Sequence, residues 1–348
     1  MYRKITLSLC IFILIFFINF NHSYKPTYLE EVIAEHKFNI MKWELKSLSL
    51  KFLNLFKDNS INESEVIIYL NQKVSGIRSY EVEKFVEEII SNEVKQNLKK
   101  EILFPPVSFI IHESPKVLIL SPRDEIILEK AILLKPNLSL EIILDIEEKI
   151  SNKKYAVLIL NTGGFASYPS IVQRPNSYSH LTKTVAHEWL HHYLFFFPLG
   201  RSYFSGGEMV TLNESLADLF ASEVSKNLLS DKHEKVNQDE KFYNFMRETR
   251  IKVDDLLAKG LVFEAEEYMF NRTKEINQLG YKIRKINQAY FAFNGNYALD
   301  PGSLSEIDDY LIELRKNYYS YGELIHDIKS IDNIEAFNEF YEIERPKK

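Results

Sequence analysis

The sequence predicts an α+β protein: a helical N-terminal region, a small mixed sheet, and a mostly helical C-terminal half. Two patterns predict it. Short β-branched runs bounded by Pro, Ser, Asn and Gly are confined to residues 107–161. Apolar residues at three- and four-residue steps fill most of the chain on either side. A third observation directs attention to function. The stretch "TVAHEWLHHYL" opens the C-terminal half directly after the sheet and places three histidines and a glutamate within six positions.

The elements follow in order. "MYRKITLSLCIFILIFFINF" puts Arg3 and Lys4 ahead of an uncharged run of roughly 16 residues, short of the ~20 that usually span a bilayer. Residues 1–24 are therefore expected to be a signal anchor or signal peptide. The positive end stays inside, so the rest is membrane-anchored outside the cytoplasm, or secreted. Residues 25–104 form the helical N-terminal region. One helix is expected over 26–57, where Leu29, Val32, Ile33, His36, Ile40 and Trp43 share a face. A second is expected over 63–101, broken near Ser75-Gly76, with a solvated Glu/Lys face. Residues 105–345 form the third region. Strands are expected at 107–112, 116–121 and 155–161, with a further one at 125–134 and a helix at 139–151. Helices follow near 177–196, 209–229, 236–258, 263–293, 303–317, 321–330 and 333–341.

Composition narrows the chemistry. A net charge of -6 offers no basic stripe for phosphates, which argues against nucleic acid as a partner. Cys10 is the one cysteine and lies in the N-terminal apolar run, so a metal further along must be held by His, Asp and Glu.

His187 and His191 stand four residues apart, just over one helical turn, so both imidazoles project from one face and can share a zinc ion. Glu188 is placed to act as a general base toward water. By itself the motif also fits a helix that is incidentally rich in histidine. "TLNESLADLF", residues 211–220, adds Glu214 as a third ligand and Asp218 one turn on. Asp218 is expected to accept a ring N–H of a ligating histidine.

"HEWLH" followed by "NESLAD" resembles the gluzincin zinc peptidases, and the Asn-Glu-x-x-Ala-Asp pattern resembles their thermolysin-like branch. The resemblance covers about residues 155–220. It implies a zincin-like site helix, zinc as cofactor, His187, His191 and Glu214 as ligands, Glu188 as base, Asp218 behind a ligand, and a peptide or protein substrate. The 283–298 stretch also resembles a segment of peptidase-like bacterial membrane proteins. Two family motifs are missing: the Gly-Ala-Met-Glu-Asn amine anchor and the Asn-Ala-Phe-Trp/Tyr edge strand. "TGGFASYPSIV" stands where the latter would be. Gly163 and Gly164 there either admit a substrate backbone at close range or simply turn the chain.

An oxyanion donor is expected among Tyr203, Tyr290, Tyr297 and His326, with Tyr290 and Tyr297 favoured because a helix end near Asn294-Gly295 can open into the cleft. His192, one residue off the ligand face, is expected to be a bystander. Three functions fit the pattern: a zinc peptidase, a zinc hydrolase of a non-peptide amide, and a non-catalytic membrane-tethered zinc-binding protein. Glu188 speaks against the last, since a structural site has no use for a base.

Overall fold

The computed structural model describes residues 26–54, 61–71, 80–229 and 240–345. The expected anchor, the break near Ser75-Gly76 and the start of the helix at 236 lie outside these residues. Among the described residues no helix is long and apolar enough to cross a membrane.

The protein is α+β. Residues up to His36 belong to a small unit of their own. In it, α1 (Tyr28–Ile33) is opened by a capping box in which Thr27 and Glu30 satisfy each other's backbone N–H groups, and a 3₁₀ turn (Ala34–His36) follows. The single helix expected over 26–57 is interrupted. Lys37 bridges Leu134, and the Phe38 N–H donates to the Leu133 carbonyl at 3.0 Å, so strand pairing takes the backbone groups a helix would need. Helix α2 (Ile40–Asn54) begins beyond this break. Helices α3 (Glu63–Asn71) and α4 (Tyr80–Leu98) complete the N-terminal region.

Six strands form two three-stranded sheets. Strands β1 (Phe109–Ile111), β2 (Lys116–Pro122) and β3 (Lys130–Leu134) precede α5 (Leu140–Ile150). Strands β4 (Tyr155–Asn161), β5 (Gly164–Phe165) and β6 (Ser170–Val172) follow it. One sheet is antiparallel with order β3-β2-β4, in which Leu118 pairs with both Ile132 and Ile159. The other is mixed with order β1-β6-β5: β1 runs parallel to β6, and β5 runs antiparallel to it with Gly164 opposite Val172.

Buried glutamates close an edge of each sheet. Glu87 and Glu83 of α4 accept the N–H groups of Phe109 and Ile111 at 2.8 and 3.0 Å. Lys51 of α2 pairs with both, at 2.6 Å from Glu87 and 3.2 Å from Glu83. Part of the α4 face read as solvated is thus interior. Burial still pushes the Glu87 carboxyl above its ordinary value, Lys51 opposing. At β4, Glu147 of α5 accepts the Ile159 N–H at 2.7 Å and receives two hydrogen bonds from the Arg284 guanidinium, at 2.5 and 2.8 Å.

The C-terminal half is helical. Helix α6 (Tyr178–Leu194) carries His187 and His191, a short α7 (Pro198–Arg201) follows, and α8 (Glu208–Leu228) carries Glu214. Helices α9 (Glu240–Ala258), α10 (Val262–Gln278), α11 (Gln288–Asn294), α12 (Glu306–Leu314), α13 (Tyr321–Ile328) and α14 (Ile334–Glu344) follow. The helix expected over 263–293 is two. Gly280, at φ 96°, turns the chain after α10, and the Asn287 side chain caps α11 by accepting the Tyr290 N–H at 3.0 Å. The largest core cluster is built around α6 and α8, with Trp189, Leu190, Leu216 and Phe220 essentially inaccessible. Each such side chain contributes roughly 1.5–3 kcal/mol.

Glu147→Ala is expected to destabilise the protein by about 3 kcal/mol in urea denaturation, because the Ile159 N–H and Arg284 lose their carboxylate together. Glu147→Gln, which can still accept one hydrogen bond, should cost less.

Candidate metal centre

Helix α6 starts where Ser177 accepts the His180 N–H at 3.1 Å, and it stops before Pro198 opens α7. Its core face carries Leu181, Val185 and Trp189 at four-residue steps. The Trp189 indole N–H donates to the Pro105 carbonyl at 2.9 Å, which ties the segment before β1 to the helix. The chain returns through Gly206 and Gly207, at φ 77° and 60°, into α8. The Asn213 side chain fastens this turn by donating to the carbonyls of Leu199 and Met209.

The two helices bring three donor atoms together. His187 Nε2 and His191 Nε2 lie 3.1 Å apart, and Glu214 Oε2 lies 3.2 Å from the first and 3.4 Å from the second. For bonds of 2.0–2.1 Å, a tetrahedral zinc ion has ligand atoms about 3.3–3.4 Å apart. The triangle therefore has the size of one face of such a tetrahedron. Its chemistry agrees, since two imidazoles and a carboxylate are a donor set that zinc takes. Among the described residues this is the one cluster of three or more such groups spaced to hold a metal.

The surrounding electrostatics are strong. Burial alone would raise the Glu214 carboxyl, but the charge of His191 and hydrogen bonds from both histidines outweigh it and hold the group well below the ordinary range. Glu188 is buried too. Desolvation pushes it up to about 8, with His191 opposing and Glu214 adding to the rise. The two carboxylates are thus driven in opposite directions, one toward permanent charge and one toward holding a proton near neutrality.

Gly164, in edge strand β5, lies directly on Glu188. A β-carbon there would overlap Glu188 Oε1 and come within 2.8 Å of Thr184 Cγ2. Any larger residue at this position would have to displace the Glu188 and Thr184 side chains. Gly163 carries no such demand, since a β-carbon would meet only His180 Nε2, at an ordinary 3.8 Å. Both glycines line the same cleft of about 1230 Å³ as the donor triangle.

Two tyrosines flank the triangle. Tyr203, in a 3₁₀ turn (Ser202–Ser205), has its ring 6.0 Å from that of His191, and Tyr297 has its ring 5.9 Å from that of His187. Both hydroxyls are held in the protonated form, Tyr203 chiefly by the Glu214 charge and Tyr297 chiefly by burial. The segment bearing Tyr297 is laced to α8. Thr211 donates to the Asn296 side chain at 2.8 Å, Ser215 donates to the Asn296 carbonyl at 3.2 Å, and the Leu299 N–H donates to Asp218 at 3.3 Å.

Other expectations are corrected. Tyr290 points away from the cleft and packs into the apolar clusters beside β2, β4, α9 and α10. The reason is the end of α11 at Asn294: Tyr290 lies within the helix and packs beside the sheet, whereas Tyr297 lies in the turn beyond it and faces the cleft. His326 is 70% exposed, pairs with Asp327 and lies outside the cleft lining. Asp218 does not accept a histidine N–H. Its carboxylate is bound by Lys183 at 2.6 Å and by Leu299. His192 stands outside the donor triangle as a buried ring pushed down to about 4, chiefly by desolvation. Lys183, Asp300 and the phenylalanines of the cleft mouth escaped the sequence reading. Lys183 carried a usable signal, one turn before His187 on the ligand face. Asp300 and the phenylalanines carried none.

Two outcomes are expected. The protein dialysed against zinc should hold about one ion per chain by mass spectrometry of the metal. His187→Ala and Glu214→Ala should each weaken zinc binding by more than the ~10–100-fold typical of changes behind the ligands. The second concerns Asp300, whose carboxyl burial pushes up to about 7. A folded-state value above the unfolded one makes the folded protein bind more protons between pH ~4 and 7, so stability falls as pH rises through that window. Asp300→Asn should therefore gain stability relative to wild type from pH 4 to pH 8 in thermal denaturation; a constant difference would contradict the assignment.

Comparison with protein-family models, curated proteins and solved structures returns no match for this chain.

Proposed function

We propose that the protein is a zinc-dependent peptidase, exported and membrane-anchored through its N-terminal apolar run. The reading rests on one observation. Two imidazoles and a carboxylate converge at zinc-ligand spacing, and the next residue in the chain after the first ligand is a buried, proton-holding glutamate under an edge strand.

Each residue then has a task. His187, His191 and Glu214 hold the ion. Bound zinc supplies a Lewis acid that polarises a carbonyl and acidifies water. Glu188 accepts the water's proton and returns it to the leaving amine. A cation beside it favours the ionised, accepting form, against the desolvation that raises it in the metal-free protein. Tyr203 and Tyr297 keep their protons and can donate to a developing oxyanion. The β5 edge offers backbone groups to an extended peptide, and Gly164 lets that backbone pass close to Glu188.

Zinc content and hydrolysis of a mixed peptide library test the reading together. Glu188→Gln should retain zinc and lose roughly 10²–10⁴-fold in rate. Tyr297→Phe should lose up to about 10²–10³-fold, whereas Tyr290→Phe should resemble wild type. Gly164→Ala should bind zinc yet cleave poorly, because the added methyl displaces Glu188. A zinc-loaded wild type that releases no peptide product would overturn the peptidase reading.

A further inference from the structure

The cleft differs from end to end. Helix α6 lays Lys183, His187, His191 and Phe195 along one side at four-residue steps, so the two ends of the cleft flank the donor triangle. The Lys183 end carries the Lys183–Asp218 ion pair. The Phe195 end carries rings. Phe104 and Phe196 meet at a tilt of 54° with centroids 5.0 Å apart, and Phe195 meets Phe196 at 5.8 Å. Phe204 meets Tyr203 at 5.7 Å, and Tyr203 in turn reaches His191. These phenylalanines come from three separate stretches of chain, all lining the cleft. They remain 67% (Phe104), 54% (Phe195), 49% (Phe196) and 77% (Phe204) exposed. Side-by-side exposure of large rings marks a surface that another molecule covers.

We propose that this aromatic wall is the subsite for a bulky apolar side chain of the peptide substrate, on the His191 side of the donor triangle. The proposal rests on the peptidase reading of the triangle. The occupant follows from continuity and chemistry. Ring contacts run from His191 through Tyr203 to Phe204, and Phe104, Phe195 and Phe196 line the same cleft, so a peptide reacting at the triangle brings a neighbouring side chain against the wall. Phenylalanine rings offer no hydrogen-bond donor or acceptor, so a charged or amide side chain there would lose hydration without a partner. An aromatic side chain would bury ~150–250 Å² and gain ring–ring contacts.

The test uses the full chain in detergent with quenched peptides that carry Phe, Leu, Ala, Asp or Lys at each central position. A single position should favour Phe or Leu over Ala by about 10–200-fold in kcat/KM. Phe104→Ala combined with Phe196→Ala should shrink that ratio several-fold, and Phe196→Leu should preserve part of it. An undiminished ratio in the double variant, or a preference for Asp or Lys, would overturn the proposal. Binding of the Phe and Ala peptides to zinc-loaded Glu188→Gln separates this failure from that of the peptidase reading. If wild type cleaves nothing, tighter binding of the Phe peptide that the double variant loses still supports the wall as a subsite, and equal binding refutes it. If the double variant keeps its peptide selectivity and loses only affinity for phosphatidylcholine vesicles, the wall faces lipid and the proposal falls.

Discussion

Two imidazole nitrogens and a carboxylate oxygen held within 3.4 Å of one another set the terms for the rest of the molecule. Such groups do not gather by mutual attraction; they need a shared cation or proton, and a scaffold stiff enough to hold them. Helices α6 and α8 are that scaffold. Trp189, Leu190, Leu216 and Phe220 bury their outer faces completely, so the apolar core offsets the cost of desolvating Glu188 and Glu214. Polar fastenings then fix the helix ends: Ser177 at the start of α6 and Asn213 at the turn into α8.

The sheets serve the same centre. A short strand with free backbone groups is open to pairing with another extended chain. Glu83 and Glu87 occupy the outer side of β1, Glu147 occupies that of β4, and residues 37–38 pair with β3. Strand β5, at the edge of its sheet, is the one that lies over Glu188.

Much of this was legible in the sequence. The α+β layout and the strands at 116–121 and 155–161 followed from periodicity. The pairing of His187 and His191 followed from helical spacing, because four residues on a helix is a local rule, and Glu214 was singled out by the second motif, "NESLAD". What escaped depends on contacts distant in the chain. The break at Lys37 exists because β3 is there to pair with, and the end of α10 was hidden by apolar residues that continue the pattern beyond Gly280. Asp218 has the spacing to serve a histidine, yet Lys183, one turn before His187, claims its carboxylate. Tyr290 and Tyr297 look equivalent in sequence, and the end of α11 at Asn294 separates them, one inside the helix and one in the turn beyond it.

The lacing of Asn296 to Thr211 and Ser215 bears on the order in which the centre is assembled. The donor triangle spans residues 187–214, and its helices can pack as soon as that stretch exists. The wall that carries Tyr297 belongs to chain 81 residues beyond Ser215. A polypeptide emerging N-terminus first thus exposes its ligands well before their tyrosine covering is made. In that interval the three donors face water and solutes from an open side. Completion of the chain then supplies the cleft's tyrosine flank, and the triangle passes from an open surface to one wall of a cleft.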